Sequence, residues 1–427
     1  MKILLISFNF APHNSIGAVR VSKLARFLQD MGHELRVLTA RGIIQPTTLP
    51  LEIDNSLVER TDWINVNFLP LFFFGGKKQV AQTGYSTRVS FVKRLGNLYQ
   101  NLLNFPDEAI GWYPFAVHKG KKILKKWTPD IIYASALPAT ALLVACRLSR
   151  ISGVKWVAEL RDLWADSERY PFSEKRRYFD GLLEKSVLSN ADAIVTVTDE
   201  WGRKLQEKYA CPVCVSKNGF DPKDFKAIEH LNFAPANVVR IVYTGVIYPR
   251  FQDIEPFFVA LSKLGEKKKN IRFEIYTRYM DIVNSLAAKY AVSDIVHGMG
   301  RVSYQDSLRA QMEADVLLLL GWGDSDQPDE VGNIPAKLFE YIGARRPILS
   351  VGSEKDIVSR IIRERNAGVA SNDPEIIKYH LSKWVDIKLE HGRIPALPKE
   401  IQKGMTRQEQ FEILEDFLQN MLSGSVL

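Results

Sequence analysis

Short continuous apolar runs recur along this chain, and between them apolar positions return every three or four residues. Residues 2–7 (KILLIS) read as a buried strand, and Val21, Leu24, Ala25 and Leu28 then repeat at helical spacing. Gly32 ends that helix and ELRVLTA gives a second strand, a β-α-β opening. The alternation continues through DIIYASA, a helix from Pro138, KWVAEL, a long helix and AIVTVT at 193–198. Apolar strands of this kind, separated by helices, predict a parallel sheet covered on both faces.

The stretch 41–115 breaks the rhythm; with LPLFFFGGKK and NFPDEAIGWYPF it reads as an elaborated loop and helix layer. A second start comes at Arg240: RIVYTGV, a helix over 253–264, IRFEIYT, DIVHGMG, a helix over 303–313, DVLLLLG and PILSVG. The expected organisation is an α/β protein of two Rossmann-like, doubly wound domains. These are an N-terminal domain over 1–216, a linker over 217–238 and a C-terminal domain over 239–400. A C-terminal helix spans 401–427. That helix carries Phe411, Leu414, Phe417 and Leu418 on one side, a stripe that must be buried.

Composition narrows the class. Of 427 residues, 46% are hydrophobic and 25% charged, which is globular and excludes disordered or fibrous chains. The net charge of +8 favours an anionic partner: a nucleotide sugar, a membrane surface or nucleic acid. No nucleic-acid motif accompanies the charge, so nucleic acid is set aside. Cys211 and Cys214 form a nominal C-x-x-C without a second pair, and with Cys146 they read as packing residues of a reducing compartment. The N-terminal apolar run is too short for a signal peptide and no run of 18 apolar residues occurs. A cytoplasmic or peripheral protein is expected. The basic run from His118 to Trp127 and the apolar 69–78 suit contact with anionic lipid at the inner face of a membrane, although a merely charged helix face fits 117–127 as well.

Candidate chemistry concentrates in GNIPAKLFEYIGARRPILSVG, Gly332 to Gly352. Gly332 and Asn333 make a turn, Asn333 or Ile334 serves as N-cap, and Pro335 falls in the first helical turn. Gly343 closes the helix before a buried strand. Lys337, Glu340 and Tyr341 share one face at i, i+3, i+4 spacing. Free N–H groups and the positive dipole end favour a phosphate, Lys337 can join them, and Glu340 can accept from ribose hydroxyls. A capped helix with solvated Lys and Glu fits the same letters. Asp324-Ser325-Asp326 is formally a metal-binding DxD, but an acidic solvated loop reads better, and no metal is assigned. Glu159, Arg161 and Asp162 stand at or just past a strand's carboxyl end, where open α/β sheets bind ligands. Arg161 can pair with Asp162 and order the loop, or Asp162 can act as a base or electrostatic stabiliser. After the first strand only Gly17 occupies the place of a G-x-G-x-x-G fingerprint, which argues against NAD or FAD. A single glycine there lets backbone approach a ligand; a simple turn glycine is the other reading.

The segment PAKLFEY, together with FNFAPHNSIGAVR, ELRDLW, NGFDPKDF and YTGVIYP in that order, resembles the GT-B glycosyltransferases, in particular the group-1, family 4-like set of polysaccharide and lipopolysaccharide transferases. The resemblance covers nearly the whole chain. It implies two Rossmann-like domains facing an interdomain cleft, the first (1–216) acceptor-binding and the second (239–400) nucleotide-sugar-binding, with the C-terminal helix (401–427) packing back toward the first. Glu340 matches the second Glu of the family's E-x7-E pattern, which holds the ribose; the first falls on Gly332, so the carboxylate that contacts the transferred sugar is missing. The loop with Asn14, Ser15 and Gly17 corresponds to one lying by the acceptor and the donor diphosphate. Many members carry a His near 159–164; this chain has none, which leaves Asp162, with Arg161, for the catalytic role. The Arg and Lys that grip the diphosphate in relatives fall on Val246 and Phe251, leaving Gly245 for close backbone approach and Arg250 as a replacement cation.

The resemblance implies a retaining transfer of a sugar from a nucleotide diphosphate donor to a glycan or lipid-linked acceptor in cell-surface polysaccharide biosynthesis, with no cofactor and no metal. Two alternatives stand beside it: a nucleotide-sugar 2-epimerase of the same fold, and a non-catalytic nucleotide-binding partner in a glycan assembly complex.

Overall fold

The computed structural model describes residues 1–43, 45–66, 104–167, 170, 172–228, 231–248, 252–277, 280–321 and 334–424. The chain divides into two compact units, Met1–Lys217 with Phe411–Leu427, and Asn218–Gln410.

The first unit is built on a parallel sheet of β1 (Lys2–Ile6), β2 (Glu34–Ala40), β3 (Val58–Thr61), β4 (Ile131–Ala136), β5 (Lys155–Leu160), β6 (Ala193–Thr196) and β7 (Val213–Val215), in the order β3-β2-β1-β4-β5-β6-β7. Its helices are α1 (Ile16–Asp30), α2 (Tyr113–Lys126), α3 (Thr140–Ser152), α4 (Glu174–Leu188) and α5 (Asp199–Lys208). Strands β1 and β4 are buried over Ile3–Ile6 and Ile131–Ala136, as continuous apolar runs in a covered parallel sheet should be. Gly32, at φ +82°, follows α1 and adopts the left-handed turn that a side chain would resist. Within 41–115 the edge strand β3 was not foreseen, because VERT is too short to show a period; 69–78 lies outside the described residues. Cys214 lies inside the edge strand β7, and burial pushes its thiol up to about 12.

The second unit repeats the plan with β8 (Val239–Thr244), β9 (Ile271–Tyr276), β10 (Val296–Gly298), β11 (Val316–Leu320), β12 (Ile348–Val351) and β13 (Gly368–Ala370), all parallel, in the order β10-β9-β8-β11-β12-β13. Helices α6 (Pro222–Lys226), α7 (Glu255–Ser262), α8 (Met280–Lys289), α9 (Tyr304–Glu313), α10 (Ala336–Ala344), α11 (Ile357–Glu364) and α12 (Pro374–His391) surround it. The central strand β11 is VLLLL, buried at every position. The last helix, α13 (Arg407–Ser423), buries Phe411, Leu414, Leu418 and Met421, with Phe417 half-buried.

Strand order reverses between β1 and β4 in the first unit and between β8 and β11 in the second. At such a reversal the loops leave the neighbouring strands in opposite directions, and a crevice opens at the strands' carboxyl ends. Two crevices follow, one in each unit. Asn14 and Ser15 follow β1, Gly245 follows β8, and Arg161 and Asp162 follow β5, next to β4.

Candidate functional site

In the second unit the loop after β8 begins at Gly245, whose φ is +124°. A Cβ placed there would lie 2.3 Å from both Cε and Nζ of Lys337, so the glycine makes the room that the lysine occupies. Lys337 Nζ stands 4.4 Å from the centre of the Tyr243 ring and donates to the Tyr243 hydroxyl at 3.1 Å. Burial lowers the Lys337 amine to about 8, while the Glu340 carboxylate acts in the opposite direction. An amine in this condition is mostly charged at neutral pH, and a nearby anion would hold that charge to higher pH.

Glu340, one turn on, is half-buried. Its Oε2 accepts from Gln311 Nε2 at 3.0 Å. Burial raises the carboxyl, opposed by the Gln311 hydrogen bond and the charges of Arg407 and Lys337. Gln311 is fully buried in α9, and its amide also reaches Thr244 Oγ1 at 3.2 Å. Tyr341 fixes the helix itself: its hydroxyl donates to the Leu318 carbonyl at 3.0 Å and accepts from the Thr244 N–H at 3.4 Å. One helix is thus tied to both strands that flank the reversal. Sequence reasoning passed over Gln311 and Tyr243, yet a lone Gln three residues after Leu308 on a buried helical face was a usable signal.

The helix begins later than expected. Pro335, with φ −63° and ψ 138°, is the N-cap rather than a first-turn residue, because its extended ψ precedes the first helical residue, Ala336. Ile334 lies just before it; Asn333 lies outside the described residues, as do Arg250, Asp324 and Asp326. Gly343 does not end the helix. Arg345 does, in the left-handed region at φ 56°, while a Cβ on Gly343 would meet the rings of Phe220 and Phe225 at 2.8 Å. The glycine is there for close packing.

In the first unit, Glu159 on β5 is fully buried and pairs with Arg20 Nε at 2.9 Å, with Ser135 Oγ donating to its other oxygen. Burial pushes this carboxyl up, but Arg20, Arg161 and Ser135 outweigh it and hold it below its ordinary value. Arg161 donates from Nε to the Ala136 carbonyl at 2.6 Å and from Nη2 to the Leu137 carbonyl at 2.9 Å. These bonds hold the loop after β4. Burial lowers the Arg161 guanidinium, with Glu159 and Asp162 acting to raise it. Asp162 itself is exposed beside it.

Gly17 lies within α1, and a Cβ there would come 2.5 Å from Arg161 Nη1. A guanidinium fills the space a side chain at this position would need. Ser15 caps α1, accepting from the Ala18 N–H at 3.2 Å. Asn14 donates to Thr48 Oγ1 at 2.9 Å, joining the loops after β1 and β2. His13, buried in the same loop, was missed by sequence reasoning; burial lowers its imidazole, opposed by a bond to the Gln45 carbonyl.

At the β8–β11 reversal of the second unit, then, a lysine lies against a glycine with a carboxylate one turn on. The family model of the glycosyl transferase 4-like domain matches residues 17–219. No curated protein sequence matches the chain. Among solved structures, the sucrose-phosphate synthase of Thermosynechococcus elongatus superposes with a TM-score of 0.63 at 13% identity, over 99% of both chains. HepE of Anabaena, solved with UDP and glucose, gives 0.60 at 12% identity over 98% of this chain and 100% of its own. A putative UDP-N-acetylglucosamine 2-epimerase of Listeria monocytogenes gives 0.55 at 12% identity over 99% of this chain and 97% of its own. Residues 17–219 thus match a glycosyl transferase 4-like domain, and the chain shares over its length the fold of these GT-B structures.

Proposed function

We propose that the second unit binds a nucleotide diphosphate sugar at Gly245, Lys337 and Glu340, and that the sugar passes to a glycan or lipid-linked acceptor bound by the first. The observation that carries this reading is the Lys337 amine, held against Gly245 and the Tyr243 ring at the β8–β11 reversal. A diphosphate placed there meets that amine and the N-terminal N–H groups of α10, which lack intrahelical acceptors. Glu340, with one oxygen occupied by Gln311, presents the other to ribose hydroxyls. Ile334, Asn333 and Arg250 are assigned to the same donor site. Phosphate charge is met by these groups, and no divalent ion is required.

In the first unit Asp162 is the candidate for acceptor deprotonation or for stabilising transition-state charge, and Arg161 positions it and the loop after β4. Asn14, Ser15 and Gly17 shape the acceptor side through the loop they order. Retention of anomeric configuration, and a place in cell-surface polysaccharide synthesis, belong to the same reading. The fold is shared with a putative epimerase, so the fold alone does not separate the activities; the glycosyl transferase match in the first unit favours transfer. Thermal-shift panels of nucleoside diphosphates against NAD test it: a uridine or guanosine diphosphate should raise the midpoint and NAD should not. The reverse pattern would overturn it.

A further inference from the structure

On the first unit's helix layer a cavity of about 650 Å³ lies between α2, α3 and α4. Its lining brings together His118 and Lys121 from α2 with Arg147 and Arg150 from α3, and includes no Asp or Glu. Among the described residues Lys121, Arg147 and Arg150 have no carboxylate partner. Leu143 and Leu183 line it beside them. One turn before Leu183, on the same helical side, stands Phe179, 57% exposed, and next to it Leu182, 51% exposed.

Unpaired cations cost nothing in water, but three of them gathered over apolar side chains, beside an exposed aromatic, are the two halves of an interfacial surface. Arg and Lys stems lie in the headgroup layer with their charges at the phosphates, while Phe and Leu enter the acyl boundary. We infer that this groove and the Phe179–Leu182 ridge form the surface by which the first unit lies on an anionic bilayer. No helix among the described residues is long and apolar enough to span one, so contact of this kind is attachment to the surface. It lies outside the donor site and needs no turnover, so its failure and that of the transferase reading are separable.

Co-sedimentation of the full chain with phosphatidylcholine vesicles, with and without phosphatidylglycerol, tests it. Binding should require the anionic lipid and fall with salt. Removing a cation near such a surface lowers partitioning about fivefold, so R147Q with R150Q should cost on the order of tenfold or more. F179S with L182S should weaken binding at constant charge. The variants must keep the wild-type melting profile and nucleotide response, which none of these positions touches. Lys122→Gln with Lys125→Gln, on α2 but outside the groove, is the control and should cost clearly less. Equal losses from both charge pairs would mean a diffuse basic face and overturn the groove. Absence of vesicle binding, with inorganic phosphate or an acidic peptide bound at Arg147 instead, would overturn the membrane assignment.

Discussion

Lys337 ties charge, pH and ligand together at a single atom. Its amine sits near 8 because burial penalises the charge. A diphosphate would restore that charge and raise the amine again, so binding above about pH 8 should take up a proton. The sign follows: affinity is full below the ligand-free value and falls as pH rises through it. Titrations in buffers of different ionisation heat, from pH 7 to 9, should show that uptake; a flat profile would remove Lys337 from the phosphate site. Lys337→Ala should weaken diphosphates far more than the free nucleoside. Glu340→Gln should cost about 1–3 kcal/mol of nucleotide affinity if the ribose bond is buried, and Gln311→Leu should reproduce part of that loss by freeing the carboxylate from its holder. Asp162 makes a separate prediction. If it acts in chemistry, Asp162→Asn lowers kcat roughly 10²-fold with donor affinity unchanged. If it only orders the loop beside Arg161, the melting temperature falls and activity follows the folded fraction. Steady-state rates and melting curves on one preparation separate the two.

At the scale of elements, α10 shows what letters conveyed and what they hid. Lys337, Glu340 and Tyr341 on one helical face followed from spacing alone, and the structure presents them at the reversal of the second sheet. The ends of that helix did not follow, because both depend on partners distant in sequence. Gly343 looks like a stop, but Phe220 and Phe225 explain it. Gly343→Ala is therefore the informative substitution. Helix propensity alone favours Ala by about 1 kcal/mol, yet a Cβ 2.8 Å from ring carbons must displace them. Overpacking of this kind costs about 1–3 kcal/mol, so the variant should melt lower than wild type. A higher melting temperature would return Gly343 to the role of a plain terminator. Gly17 is similar: its neighbours in sequence suggest an open loop, while the occupant of the space, Arg161, comes from β5's end. Long apolar strands such as β11 were legible because burial on both faces is written residue by residue. Edge strand β3 was not, since four residues carry too little period.

At the scale of the whole molecule, two doubly wound sheets were legible because the β/α rhythm starts twice, at Lys2 and near Arg240. The family match lies over 17–219, whereas the donor residues that carry the functional reading lie on the second unit, so the two lines of support are independent. The central claim is that a nucleoside diphosphate binds the second unit through Lys337 without a metal. Calorimetric titration of uridine and guanosine diphosphates and their nucleosides into wild type and Lys337→Ala, all in excess chelator, tests it most directly. The account predicts that wild type binds one of the diphosphates and that Lys337→Ala loses most of that affinity while binding of the nucleoside is nearly unchanged. Binding that appears only when manganese or magnesium is restored, or equal affinities in the two proteins, would contradict it.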